Sequence, residues 1–559
     1  MQTTINAGEI MSGSTLLRGT MLLTAATFLS KLLGMIYVIP FEALVGNTGG
    51  TLLGFAYIPY TIFISVSTVG VPLAVSKFVS KYNALGDYYT GRRVFKIGMG
   101  LMAVTGILAF LIMYFSAGFL ADLSISDNPN GITKEDVTEV IQMISFALLI
   151  IPGMSIVRGF FQGYEYMEPT AVSQVIEQIV RIAFLLISVY IVMEMGSGDI
   201  PTAVNFASFA AFIGAIASAV VLWYFWRKQK PMLDGRMEQQ IEQTDISIQK
   251  LLKELLTYAG PFVLVGIATP LYQQVDSLTF NRAMAAAGNG DIAEQLFGVV
   301  NLYSHKLVII PVTLATGLSL ALLPTITKSF TEGKEQQLKH QLNQALQIIV
   351  VLILPAVVGI ATLSHEAYGT FFGVTLSEGG TIGISEQGNL LRWYAPVALF
   401  YALFTVTSSI LQGLNKQRFA VISLGAGFLL KVILNVPFIT WFGAKGIILT
   451  TGIAVLTAVV LNLWKIHSAA DFSYKQIYKR TLFVLILTIL MTIIVLVVKW
   501  LLSLTGLHYE NGRFAALGVL LISAGIGGTF YLWVAYQTTL LERVLGNRVK
   551  VLDRFLKRK

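Results

Sequence analysis

Stretches of about 20 mostly apolar residues, each long enough to cross a hydrocarbon core of about 30 Å as a helix, recur from one end of this 559-residue chain to the other. A soluble protein of this length would need several globular surfaces, yet only 12% of the residues are charged and 55% are hydrophobic. The chain therefore reads as an all-α integral membrane protein with about fourteen transmembrane helices. The first six candidate spans cover residues 16–39, 52–75, 95–120, 138–160, 171–195 and 203–226. Six more cover 256–280, 296–324, 342–363, 390–412, 419–441 and 444–466, and a final pair covers 481–505 and 513–537. Met1 to Thr15 is polar and Arg18 flanks the first apolar run, so that run is expected to stay as a membrane anchor.

The loops alternate in charge. Lys77, Lys81, Arg92, Arg93 and Lys96 follow the second span, Arg227, Lys228, Lys230 and Arg236 the sixth, and Lys328, Lys334 and Lys339 the eighth. Lys416 and Arg418, then Lys475, Lys479 and Arg480, then Arg543, Arg548, Arg554 and Lys557 to Lys559 keep the phase. The intervening loops carry Asp122, Asp127, Glu135 and Asp136, or Glu194 and Asp199. The positive-inside rule then puts both termini in the cytoplasm. The net charge of +9 points to anionic membrane lipids as partners, and no nucleic acid is expected.

The sequence also repeats. Phe161-Gln162-Gly163 with Ser173 and Arg181 aligns with Leu411-Gln412-Gly413, Ser423 and Lys431 at an offset of 412 − 162 = 250. Val71-Pro72 with Lys77 and Phe78 aligns with Leu323-Pro324, Lys328 and Phe330 at nearly that offset. Two homologous six-helix lobes follow, residues 1–226 and 251–470, joined by a polar cytoplasmic linker at 227–250. Residues 471–559 form an appended helix pair and a basic tail.

An ionisable group near the bilayer centre costs about 2.5–3.5 kcal/mol, so each calls for a partner, an aqueous cavity or a function. Four cations lie inside predicted spans: Lys31, Arg181, Lys306 and Lys431. Facing a seam between lobes, they would suit an anionic headgroup, with phosphate or pyrophosphate the best charge match. Glu177, one turn before Arg181, is placed to neutralise it at i,i+4 spacing. Asp276 is placed either to bind a coupling cation or to balance Arg282, and Glu42, after Pro40, belongs at the outer mouth. Pro59, Pro152, Pro261, Pro270, Pro311, Pro355 and Pro396 break backbone hydrogen bonds within spans, as bending helices require.

Several chemistries are absent. Without cysteine there are no disulfides, zinc-cysteine sites or thiol catalysis. No GxxxxGK[ST] loop and no HExxH occur, and the five histidines, His305, His340, His365, His467 and His508, are scattered. No resident cofactor is expected, and a metal site is not specified by these residues.

The residues resemble a known family. Ser30-Lys31-Leu32-Leu33-Gly34, Tyr303-Ser304-His305-Lys306-Leu307 leading to Pro311 and Gly317, and Leu322 to Phe330 look like the MurJ-type lipid II flippases. Gln162-Gly163, Pro169, Ser173-Gln174, Glu177-Gln178 and Arg181 are typical of the Gram-positive polysaccharide-biosynthesis and sporulation stage V protein B branch. Both belong to the multidrug/oligosaccharidyl-lipid/polysaccharide exporter superfamily. The resemblance implies a two-lobed transporter that moves undecaprenyl-pyrophosphate-linked cell-wall precursor across the bacterial cytoplasmic membrane, with the appended pair forming a groove for the isoprenoid tail. It also implies a connection with the cell-wall synthesis machinery. Family members carry Arg where this chain has Lys31 and Asp-Arg where it has His305-Lys306. Their second basic-acid pair of span one falls on Tyr37-Val38, and a basic position in span two is apolar here, near Phe63. Two other readings are a multidrug exporter, which calls for a carboxylate-lined cavity, and a polymerase or ligase of lipid-linked glycans. The latter calls for an outward-facing acid such as Asp276, Glu366 or Glu386.

The orientation is testable in this cysteine-free chain. A Ser197→Cys protein is expected to react with an impermeant maleimide in intact cells, and Lys334→Cys only after permeabilisation; the opposite pattern would reverse the topology.

Overall fold

Backbone groups in hydrocarbon must be satisfied within their own segment, and every regular element among the described residues is helical. The computed structural model describes residues 22–23, 25–125, 132–238, 240, 246–374 and 382–545. Met1 to Thr15, Arg18, Asp127 and the basic residues from Arg548 to Lys559 lie outside them.

The chain divides into two units, Met1–Leu278 and Thr279–Lys559. In the first, α1 spans 25–36, followed by α2 (Val38–Ser65), α3 (Val71–Ala84), α4 (Tyr88–Phe115), α5 (Ala117–Ser124) and α6 (Lys134–Ser145). Then come α7 (Ile151–Gly163), α8 (Glu168–Tyr190), α9 (Ile200–Glu238), α10 (Ile248–Gly266) and the start of α11 (Ala268–Ala286). The second unit takes the end of α11 and adds α12 (Gly290–Phe297), α13 (His305–Thr331), α14 (Glu335–Thr362), α15 (Ser364–Phe372) and α16 (Ile384–Gly413). It continues with α17 (Gln417–Phe442), α18 (Ala444–Ala470), α19 (Lys475–Leu504), α20 (Arg513–Gln537) and α21 (Leu540–Leu545).

Twelve helices among the described residues are long and apolar enough to cross a membrane, thirteen when the bent pair α10–α11 counts as one span. One of the twelve, Ala25–Ser65, has 41 residues, about 60 Å at 1.5 Å per residue and twice the hydrocarbon thickness. It breaks at Gly46, whose φ of 64° is left-handed. The chain turns there so tightly that a Cβ on Gly49 would lie 2.5 Å from that of Val45. The segment is thus long enough for two crossings, one on each side of the break.

Between helices in lipid, packing replaces the hydrophobic effect, and small residues let backbones approach. Gly159 and Gly163 of α7 form such a GxxxG stripe against α3. A Cβ on Gly159 would lie 2.5 Å from the Pro72 carbonyl oxygen, and one on Gly163 2.8 Å from that of Ser76. Segment 227–238, expected as linker, continues α9 as helix. It is amphipathic enough to bury Leu233 in a core with Leu251, Leu255 and Ala259, and Asp234 pairs with Arg92 of α4 at 2.6 Å.

The final helix pair is fastened to the second unit. The Tyr531 hydroxyl of α20 donates to the Val351 carbonyl of α14 at 2.7 Å, and Arg480 donates to Gln347. Lys499 of α19 meets Glu366 of α15 at 2.8 Å and donates to the Thr362 carbonyl at 3.2 Å. Between these ties α14, α19 and α20 enclose an apolar cavity of about 320 Å³, lined by Pro355, Gly359, Met491, Val495, Gly528 and Tyr531.

Overfilling a close-packed contact costs about 1–3 kcal/mol. Gly159→Leu is therefore expected to lower the thermal midpoint in detergent. Gly100→Ala, whose Cβ would meet nothing within 4 Å, is not.

Candidate functional site

In the first unit α1 lies along α8. The Thr27 hydroxyl donates to Gln174 at 3.2 Å, and a Cβ on Gly34 would lie 3.1 Å from the Gln178 amide nitrogen. Residues 27, 31 and 34 share one helical face, so these two contacts bracket Lys31. Lys31 is exposed and has no ion-pair partner among the described residues.

Arg181 stands one turn further along α8. Its guanidinium lies 5.6 Å from the Tyr57 ring centroid, with Tyr37 and Tyr60 near it. A cation over an aromatic face is held by the ring quadrupole, worth about 0.5–2 kcal/mol depending on desolvation. Gly214 of α9 presses on the same turn: a Cβ there would fall 2.8 Å from both the Glu177 carbonyl oxygen and the Arg181 Cβ.

Glu177 does not neutralise Arg181, contrary to the i,i+4 expectation. Its carboxylate pairs at 2.7 Å with Arg158 of α7, which also donates to Ser173 at 3.0 Å and to Ser218 at 2.7 Å. The acid is claimed across the helix interface because Arg158 gains two hydroxyl acceptors there, while Arg181 is turned toward the tyrosines of α2. Among the described residues no carboxylate lies within ion-pair distance of Arg181.

The second lobe builds a node at the equivalent place without charge. Position 408 aligns with Arg158 at the repeat offset and is a serine. Asn462 of α18 donates to Thr407 at 3.1 Å and to Ser408 at 3.2 Å, and accepts from Ser423 at 2.5 Å. The helices joined are the fourth, fifth and sixth of each lobe. Lys431, equivalent to Arg181, is fully enclosed and donates to the Ile447 carbonyl at 3.1 Å, Thr450 at 3.1 Å and Thr451 at 2.7 Å. Thr450 donates to Asn435, which donates to Thr279, both at 2.8 Å. Lys431 thus binds α17 to α18 and presents no surface to a cavity in this conformation.

Lys306 is half-buried at the start of α13, directly after a π-helical turn, Gly298–Ser304. Such turns insert an extra residue and re-aim the side chains that follow. Its neighbour His305 shares a 2.8 Å hydrogen bond through Nδ1 with the Tyr394 hydroxyl and faces the Tyr401 ring at 6.3 Å. Each unit therefore holds a basic side chain in or next to a cluster of tyrosines.

The acids separate by burial. Asp276 is buried on α11, beside a Ser277 whose hydroxyl is 3.3 Å from that of Ser124; Arg282 is exposed. Glu42 is half-buried. Glu366 is fully buried against Lys499, so it is no outward-facing acid. No group of three or more potential metal-ligating side chains occurs among the described residues. Arg158 and Lys499 are the charged residues that sequence reasoning passed over. Both sit near the ends of apolar runs, where they read as interfacial; the serine at the repeat equivalent of Arg158 was the available signal.

The polysaccharide biosynthesis protein family matches residues 16–330, and the MatE family matches 299–436. Lipid II flippase MurJ of Bacillus subtilis (strain 168) is 46% identical over 538 residues, covering 96% of this chain and 98% of the relative. Stage V sporulation protein B of the same organism is 23% identical over 452 residues, 81% of this chain and 82% of that protein. Among solved structures, lipid II flippase MurJ in an inward closed conformation superposes with a TM-score of 0.63 at 17% identity, covering 94% of this chain and 99% of that one. An inward-facing multidrug resistance MATE transporter of the MOP superfamily gives 0.63 at 15% identity over 79% and 95%. These structural likenesses concern the fold.

Removing one member of a buried ion pair costs about 3–5 kcal/mol, whereas apolar replacement of both is often neutral. Arg158→Leu is expected to destabilise toward the low end of that range, and Arg158→Leu with Glu177→Leu by less than the sum of the single changes, in a double-mutant cycle of thermal stability.

Proposed function

This chain belongs to the polysaccharide biosynthesis protein family and, within it, to the MurJ-type lipid II flippases, and from that premise we propose that it moves lipid II from the inner to the outer leaflet of the bacterial cytoplasmic membrane by alternating access. Its 46% identity to a lipid II flippase over 96% of this chain and 98% of that one is the observation that carries the reading. The chain is a translocase rather than an enzyme. Both termini are cytoplasmic in this reading, and the enzymes that consume the precursor outside are its functional neighbours.

The headgroup presents a pyrophosphate, and Arg181, Lys31 and Lys306 are the groups proposed to receive it. The family's basic residue late in span one is Tyr37 here, and Arg181 reaches the same place from α8, its guanidinium lying beside Tyr37. A cation held over the Tyr57 ring keeps its full charge for an arriving phosphate, because no carboxylate has to be displaced. Lys431, tied to α18, holds the second lobe together instead. The apolar cavity of α14, α19 and α20 suits the isoprenoid tail. A membrane potential negative inside favours outward movement of the anionic headgroup by about 2.3 kcal/mol per charge per 100 mV.

The test is depletion in the native host with leaflet-resolved assay of labelled undecaprenyl-pyrophosphate-linked precursor. Precursor is expected to accumulate in the inner leaflet and to be cleared by the wild-type protein, while Arg181→Ala and Lys306→Ala slow clearance at least tenfold. An unchanged leaflet distribution on depletion would overturn the cargo, and full rescue by both variants would overturn the site.

A further inference from the structure

On the first unit, two adjoining cavities of about 270 and 450 Å³ share Ile150, Ala219 and Trp223 and form one apolar groove beside α9, walled by Trp226 at one end and Ile216 at the other. Trp223 is 58% exposed, so the groove opens to the surroundings of the bundle. Ile216 to Trp226 is ten residues, about 15 Å of helix and half of a hydrocarbon core of about 30 Å. The groove therefore has the length of one leaflet.

Its Trp226 end carries charge of one sign. Arg227 lies 4.8 Å from the Trp223 ring centroid, and Lys228 and Lys230 are exposed next to it. Among the described residues none of the three has a carboxylate within ion-pair distance; Asp234, on the same helix, is held by Arg92. Stacking on Trp223 fixes the guanidinium at the mouth of the groove, where an amphipathic side chain can keep its stem on the apolar wall and its head in the interface.

We propose that this groove is a binding site for one anionic phospholipid, an acyl chain lying along Ala219 and Trp223 and the phosphate meeting Arg227 and Lys230, which share the groove's face of α9. A chain one leaflet long, ending at two cations on the groove's own face, matches a membrane lipid of negative charge and gives a zwitterionic one no equal return. The site is independent of the cargo assigned above.

The test uses the full-length protein in neutral detergent, titrated with phosphatidylglycerol or phosphatidylcholine of matched chains, with bound lipids counted by native mass spectrometry. Phosphatidylglycerol is expected to bind at least tenfold more tightly. Arg227→Gln/Lys230→Gln is expected to erase that preference, and Lys475→Gln/Lys479→Gln, equally exposed cations elsewhere, to keep it. Ala219→Phe, which fills the groove and leaves every charge in place, is expected to weaken phosphatidylglycerol binding at least tenfold, with thermal midpoints confirming folded variants. Equal binding of the two lipids, an Arg227/Lys230 double variant that retains the preference, or an equal loss in the Lys475/Lys479 control would overturn the proposal.

Discussion

Glu177 has an arginine one turn away on its own helix and another across the interface on α7, and it binds the one on α7. Much of the first lobe's chemistry depends on that choice. A carboxylate beside Arg181 would hold it as a closed ion pair, and an anionic ligand would first have to break the pair and strand a buried acid. With Glu177 paired to Arg158, which also donates to Ser173 and Ser218, the Arg181 guanidinium is left over the Tyr57 ring with Tyr37 and Tyr60 near it. These are neutral partners, able to stay in place while the cation binds something else.

The second lobe shows the same tertiary requirement met with different chemistry. Where α7, α8 and α9 are joined by an ion pair and two hydroxyls, α16, α17 and α18 are joined by Asn462 with Thr407, Ser408 and Ser423. Where Arg181 turns toward aromatic rings, Lys431 turns inward to two threonines and a carbonyl. The repeat has kept its polar positions and changed their charges, so one lobe offers a cation and the other encloses its counterpart.

The all-helical membrane character and the two-lobed plan were legible in the chain because hydropathy and a fixed offset are properties of linear order. The pairing of charges was not. Glu177 and Arg181 share a helical face, and only the approach of α7 decides that the acid goes elsewhere. Lys431 has an intramembrane position like that of Arg181, and its enclosure depends on Thr450 and Thr451 of the next helix. Segment 227–238 reads as a polar linker by composition, yet Leu233 and Asp234 both find partners once α9 is extended. The break at Gly46 shows the converse: no contact is needed to see that 41 residues are too long for one crossing.

The pair between Glu366 and Lys499 bears on how the last two helices came to be part of this molecule. They have no counterpart in the duplicated lobes, which suggests a module added to a twelve-helix ancestor. Yet Glu366, on α15 within the older portion, is fully buried and its charge is answered from α19. A chain without α19 would leave that carboxylate without its cation in an apolar setting, to be neutralised by a proton or replaced. Through this acid and its lysine the appended helices are bound to the lobe that bears them.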